Sequence, residues 1–315
     1  MVQGKKTFKK FRKSLKSLKS LKSYDRKTRK SFNKKHCSPK KSKNELSCID
    51  NDILLKIASI FNNFYNAKIN LTDKNQLYKQ IVNKISSMSD CKSESCWVTL
   101  NEIIKHLSPD ELNRFKNNFR PQMPNSWIKN KNEWASTSDI EKVLKQYEEC
   151  YPDFKCYGAL PMDFDLKLGN RCVSGNLCNI DIKEHMDNGV NKIGSVFNLD
   201  DHDESGSHWV SIYIELSPCC RKNPSIYYFD SLADKPTKEI KELVDTVSEQ
   251  YKSLTNKNME FLYNDIQHQK NNTECGIYSL HFITSMLEGG EFEDYIKNIK
   301  RDDYMEKYRS FYYIS

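Results

Sequence analysis

The chain has 315 residues, 37% of them hydrophobic and 11% aromatic, which is enough for a sizeable core and leaves room for two domains. No stretch approaches the roughly 20 consecutive apolar residues of a membrane span, and the N-terminus is charged without the apolar segment of a secretory signal, so a soluble protein with no membrane contact is expected. The net charge of +8 hides an asymmetry: residues 1–43 hold eighteen Lys or Arg against one acid, Asp25, which is +17 and leaves −9 on the other 272 residues.

Eleven cysteines are scattered over a chain too long to need staples, so reduced thiols in an intracellular compartment are expected. No Cys-x-x-Cys pair or His-x-x-x-His spacing exists; Cys91 with Cys96 and Cys172 with Cys178 come nearest. Neither a metal nor another cofactor is expected.

Residues 1–44 combine Lys/Arg density with the repeat Lys13-Ser-Leu-Lys16-Ser-Leu-Lys19-Ser-Leu-Lys22 and too few apolar groups to offset ordering entropy, so they read as a disordered polybasic tail. Such a tail binds DNA or another polyanion without sequence preference; a localisation signal or a solubilising tail has the same composition. From 45 to 120 the apolar period is helical. Ile53, Leu54, Ile57, Ile60, Phe61 and Phe64 form one stripe, and Leu77, Ile81, Val82 and Ile85 another. Thr99 with Glu102 and Ser108 with Glu111 read as capping boxes, the second with Pro109 at the first helical position. Four short helices and a small helical domain follow from this.

Pro121, Pro124 and a polar run to Asn132 read as a linker, after which Ser136 caps a helix with the stripe Ile140, Val143, Leu144 and Tyr147. Strands are then expected at 157–164, interrupted by Pro161, and at 193–199, 208–216, 225–231 and 260–263. A helix carrying Ile240, Leu243, Val244, Val247 and Tyr251 precedes the last strand, and one helix spans 295–308. Helices before and after a run of sequential strands indicate an α+β domain with a mostly antiparallel sheet over 121–315.

The chemistry concentrates near the end. The polar loop 267–274 delivers Cys275, as an exposed thiol, to the start of a helix that is apolar nearly all round and ends at Gly289-Gly290. The free N–H groups and positive dipole end of that helix favour a negative sulfur. His208 opens one strand beside a turn-rich loop, and Asp230 ends the next. If a loop around Pro218, Cys219, Cys220 and Arg221 joins the two antiparallel, they are neighbours: the acid orients the imidazole and the imidazole takes the thiol proton. Gln269, or alternatively Gln267, can add a side-chain amide to the Cys275 N–H as an oxyanion donor.

His208-Trp209, Asp230-Ser-Leu and Gln269-(five residues)-Cys275-Gly276 resemble the motif set of the ubiquitin-like-protein-specific cysteine proteases, whose clan includes adenain. The flanking text Trp134-Ala-Ser-Thr-Ser-Asp-Ile, Tyr151-Pro-Asp-Phe-Lys, Pro161-Met-Asp-Phe-Asp and Ile193-Gly-Ser-Val-Phe-Asn-Leu-Asp is similar to thiol proteases of large cytoplasmic DNA viruses. The resemblance covers roughly residues 120–290. It implies an adenain-like, papain-like cysteine protease domain with Cys275 as nucleophile, His208 as base, Asp230 as its orienter and Gln269 as oxyanion donor. It makes Trp134 and Trp209 the covers of a narrow tunnel for a Gly-Gly tail. Glu274 departs from the Asp that usually precedes the cysteine, and the helical domain and tail have no counterpart in the cellular enzymes.

The function implied is a thiol endopeptidase acting on viral structural polyprotein substrates after Gly-Gly or Ala-Gly pairs during virion maturation, in the virion or a cytoplasmic virus factory. The alternatives are an isopeptidase that removes ubiquitin or a SUMO-like modifier from host proteins, and an inactive, polyanion-binding virion protein.

Overall fold

The helical half forms where apolar residues recur at helical spacing. The computed structural model of the protein describes residues 37–40, 47–217 and 223–314. Helices α1 (Asn51–Tyr65) and α2 (Lys74–Ser86) bury the two expected stripes against each other, with a 3-10 turn at Glu94–Thr99 contributing Trp97. Phe64 leaves its stripe: it is 61% exposed and stacks on His106, ring centroids 3.9 Å apart. Short helices α3 (Asn101–Ile104) and α4 (Pro109–Asn117) complete the unit. The Ser108–Glu111 capping box forms as expected. The Thr99–Glu102 box does not, because Thr99 closes the 3-10 turn and its hydroxyl donates to the Cys96 carbonyl (2.8 Å), leaving Leu100 as the cap.

The polybasic tail lies outside the described residues apart from 37–40, and these pack onto the helical unit. Cys37 bridges to Phe119, Ser38 N–H donates to the Asn118 carbonyl (3.0 Å), and a disulfide joins Cys37 to Cys48. Two more disulfides, Cys91–Cys96 and Cys172–Cys178, replace the reduced thiols expected from chain length. Their sequence separations of 11, 5 and 6 explain the error: each closes a local loop, a purpose that core size does not remove. Among the described residues Cys150, Cys156 and Cys275 are free.

The second half opens with α5 (Asn125–Lys129), which buries Trp127 inside the supposed linker, and α6 (Thr137–Cys150), whose Ser136 side chain and Asp139 form a capping box. Strand β1 (Phe154–Leu160) stops before Pro161, which has no N–H to donate, and so sits three residues earlier than expected. A two-residue hairpin, β2 (Lys167–Leu168) and β3 (Arg171–Cys172), and α7 (Ile182–Asp187) follow. Then come β4 (Lys192–Asn198), β5 (Trp209–Glu215), β6 (Ser225–Phe229), α8 (Lys238–Thr255), β7 (Glu260–Tyr263) and α9 (Cys275–Leu287). The helix expected over 295–308 is two helices, α10 (Phe292–Lys297) and α11 (Asp302–Tyr312). Between them the Lys300 carbonyl is taken by the Tyr278 hydroxyl and the Lys300 N–H by His268 Nδ1, so that backbone is spent on tertiary bonds.

The α+β fold has a five-stranded sheet in the order β1-β4-β5-β6-β7, antiparallel at its centre (β4/β5 and β5/β6) and parallel at both edges. Both faces are covered. Along β5, Trp209 and Tyr213 point to the core shared with α6, α9 and α11, while Val210, Ile212 and Ile214 point to the core under α7 and α8. Helix α9 runs through the first core with all thirteen residues buried, as its all-round apolar sequence requires. Gly289, at φ +86, ends it, and the Gly290 N–H reaches back to the Ser285 carbonyl (2.9 Å).

The chain terminus clasps the two halves. Ile314 packs in the core of the helical unit, its N–H donates to the Pro121 carbonyl (2.9 Å), and its carbonyl accepts the Met123 N–H (2.7 Å).

Candidate active site

Pairing of β5 with β6 sets the first contact. The ladder runs from Glu215↔Ser225 to Ser211↔Phe229, so His208, just before β5, and Asp230, just after β6, meet at one end of the sheet. The loop that joins these strands lies mostly outside the described residues, but the antiparallel pairing is the expected one. His208 Nε2 donates to Asp230 Oδ1 at 2.7 Å, which leaves Nδ1 as the other ring nitrogen. Asp230 is fully buried and is fixed further: Oδ1 also accepts the Leu232 N–H (2.8 Å), and Asn264 brackets its backbone, accepting from its N–H (2.9 Å) and donating to its carbonyl (2.6 Å).

Burial works against a charged imidazole, but hydrogen bonds to Asp230 and to Cys275, with the charges of both, outweigh it and raise the His208 pKa to about 9. The pair is therefore poised as imidazolium beside sulfur. Cys275 is the first residue of α9, and the first helical bond runs from the Tyr278 N–H to the Glu274 carbonyl (2.9 Å). The N–H groups of Cys275, Gly276 and Ile277 thus precede the helical ladder. Contrary to the expected exposed thiol, Cys275 is 2% exposed, and His208 is 8% exposed. A helix buried on every side carries its first residue inside with it.

Gln269 is 1% exposed and its amide orientation is determined. The Asn271 carbonyl, which only accepts, lies 2.6 Å from Nε2, and the Ser231 hydroxyl donates to Oε1 at 2.7 Å. One N–H of Nε2 remains for another acceptor. Ser231 also anchors the loop backbone, its carbonyl accepting the N–H groups of His268 and Gln269 (both 2.9 Å). The alternative amide, Gln267, is turned away and donates to the Gln269 carbonyl (2.8 Å). His268, inside the same motif, is a packing residue: Nε2 donates to the Ile296 carbonyl (3.0 Å), and burial holds its pKa down.

A pocket of about 490 Å³ lies over the site, lined by Trp134, His208, Leu232, Gln269 and Asn271 among others. Trp134 is 37% exposed at its rim. Trp209, the other expected cover, packs in the core at 5% exposure and is not among the residues that line the pocket. Its indole N–H donates to the Ala135 carbonyl (3.0 Å), tying the backbone next to Trp134 to β5. Its alternation in β5 sends it inward, so it supports the rim rather than forming it. Ser231 and Asn264 escaped the sequence reading; only the place of Ser231 next to Asp230 hints at its role. Among the described residues no group of three or more His, Cys, Asp or Glu has the geometry of a metal site.

Residues 196–314 match the model of the Ulp1 protease family, C-terminal catalytic domain. A protein of Acanthamoeba polyphaga mimivirus named as a thiol protease is 30% identical over 286 residues, which span 83% of this chain and 87% of the relative. The chain belongs to the Ulp1 protease family. A SUMO-1 cysteine protease of African swine fever virus is 30% identical over 120 residues, 38% of this chain and 43% of that protein. The crystal structure of the African swine fever virus protease has the same fold, with a TM-score of 0.60 at 19% identity over 89% of this chain and 95% of that one. That span exceeds the Ulp1-family region by far and extends into the helical half.

Proposed function

We propose that the protein is a viral thiol endopeptidase that cleaves structural precursor proteins after small residues, of the Gly-Gly or Ala-Gly type, during virion maturation. The observation that carries the reading is the His208 imidazole hydrogen-bonded to buried Asp230 and to the Cys275 sulfur, at the floor of a pocket bounded by Trp134 and Gln269. The Cys275 thiolate attacks the scissile carbonyl carbon, the oxyanion is met by the Gln269 amide and the Cys275 N–H, and His208 gives its proton to the leaving amine as the C–N bond breaks. The thioester so formed is hydrolysed when neutral His208 takes a proton from water: the water oxygen bonds to the carbonyl carbon, the C–S bond breaks, the acid product leaves, and the thiolate–imidazolium pair is restored. Flat Trp134 over an extended backbone favours residues without a bulky Cβ substituent.

The reading divides the chain into a polybasic tail (1–44) that holds the enzyme near DNA or an acidic shell, a helical domain (45–120) that binds substrate or partner, and a catalytic domain (121–315). Hydrolysis of a short Gly-Gly-x peptide, abolished in Cys275→Ala, is the test. Cleavage of folded modifier conjugates but not of the peptide would favour an isopeptidase, and salt-dependent DNA binding without any turnover would favour an inactive virion component.

A further inference from the structure

Helix α11 reaches the segment between Gln269 and Cys275 at both ends. At its first residue, Asp302 accepts the N–H groups of Lys270 (3.1 Å to Oδ2) and Asn271 (3.0 Å). Seven residues later, two turns on and on the same face, Arg309 Nε donates to both Glu274 carboxylate oxygens (3.0 and 2.8 Å) and Nη2 to the Thr273 carbonyl (3.2 Å). Asp302 and Arg309 thus grip residues 270, 271, 273 and 274, four of the five that separate the amide from the sulfur.

Glu274 and Arg309 are 3% and 5% exposed, and the guanidinium lies over the Trp127 ring, 4.2 Å from its centroid. Two charges this deep lose hydration that an apolar pair would not, and burial pushes the Glu274 carboxyl up despite its arginine. What the pair supplies over an apolar contact is direction, because one rigid, planar guanidinium ties the Glu274 carboxylate through Nε and the Thr273 carbonyl through Nη2, fixing the two groups relative to each other. The carboxylate so held belongs to the residue immediately before Cys275.

We propose that Asp302 and Arg309 are positioning residues of the active site, and that α11 fixes the spacing between the Gln269 amide and the Cys275 sulfur. The proposal rests on the reading of those two groups as oxyanion donor and nucleophile. Donors act only where charge develops, and a displacement of about 1 Å by a remote change can cost on the order of 10²-fold.

The test uses the full chain and a Gly-Gly-x peptide. Arg309→Met alone strands a buried carboxylate and can unfold the protein, so Glu274→Gln is combined with it to remove both charges. The double variant should melt close to the parent yet lose about 10- to 100-fold in kcat with KM changed less than about threefold. Iodoacetamide should still label Cys275 at the parental rate, because that reaction needs only the His208–Cys275 pair. Asp302→Ala should lower kcat similarly, and in a Gln269→Ala background it should cost less than about threefold more, there being no amide left to aim. Parental kcat in the double variant, or an Asp302→Ala loss that multiplies in full with Gln269→Ala, overturns the proposal. Persistent hydrolysis in Cys275→Ala overturns the underlying site reading, a separate result.

Discussion

In the mechanism proposed above, His208 sets the working pH range. Its pKa, raised from 6.5 to about 9, keeps the imidazole charged through neutrality. With thiolate and imidazolium as the attacking pair, hydrolysis should fall as pH rises through about 9. Asp230→Asn keeps an oxygen for Nε2 but removes the charge that holds the pKa up. The alkaline limb should therefore move to lower pH, with kcat down by about 10²- to 10⁴-fold, read from a kcat–pH profile. The same group contributes stability fully below its ordinary 6.5 and loses it as pH rises through about 9, so parent and Asp230→Asn melting temperatures should converge at alkaline pH. Labelling separates the thiols as well: burial pushes Cys156 up to about 12 and raises Cys150, so at pH 7 iodoacetamide should modify Cys275 before either. Equal labelling of all three would count against the site. That His208 and Asp230 meet was legible in the sequence because they stand at the facing ends of two strands joined antiparallel, and the place of Cys275 at the head of a helix was legible from the polar loop and apolar run around it. Ser231, Asn264 and Asp302 were not, because their roles are hydrogen bonds to loops 31 to 38 residues away along the chain.

At the scale of elements, α9 and its neighbours explain why a glycine follows the cysteine. A Cβ at Gly276 would stand 3.0 Å from Ala135 Cβ and 3.3 Å from both Ile140 Cδ1 and Trp209 Cδ1. Gly276→Ala must push α6 or Trp209 aside, so we expect a loss of about 1–3 kcal/mol by denaturant melting and a shifted Trp134 rim. Peptide KM should rise with it; an unchanged melting curve would show that the contact gives way freely. The buried character of α9 could be read from its sequence, since no polar stripe interrupts it. The parallel edge of the sheet could have been read too, because β6, α8 and β7 form a strand–helix–strand crossover. The break between α10 and α11 could not, since both halves keep a helical period and only the contacts of Lys300 end the first.

For the whole molecule, the useful boundary is earlier than composition suggests. Residues 37–40 belong to the helical unit, so removing residues 1–36 should leave peptide hydrolysis and the melting temperature unchanged while weakening DNA retention. Removing residues 1–46 deletes the Cys37–Cys48 and Ser38–Asn118 ties and should lower the melting temperature. If the shorter truncation is already inactive, the tail belongs to the working enzyme.

The three disulfides among the described residues carry a last consequence. Each closes a loop of only a few residues, so each restrains the unfolded chain by about 2–3 kcal/mol in the chain-entropy picture and none bridges the catalytic core. Reductant should therefore lower the melting temperature by several degrees and leave turnover at room temperature intact. A chain built this way keeps its redox-sensitive links separate from Cys275, the free thiol at the head of a buried helix.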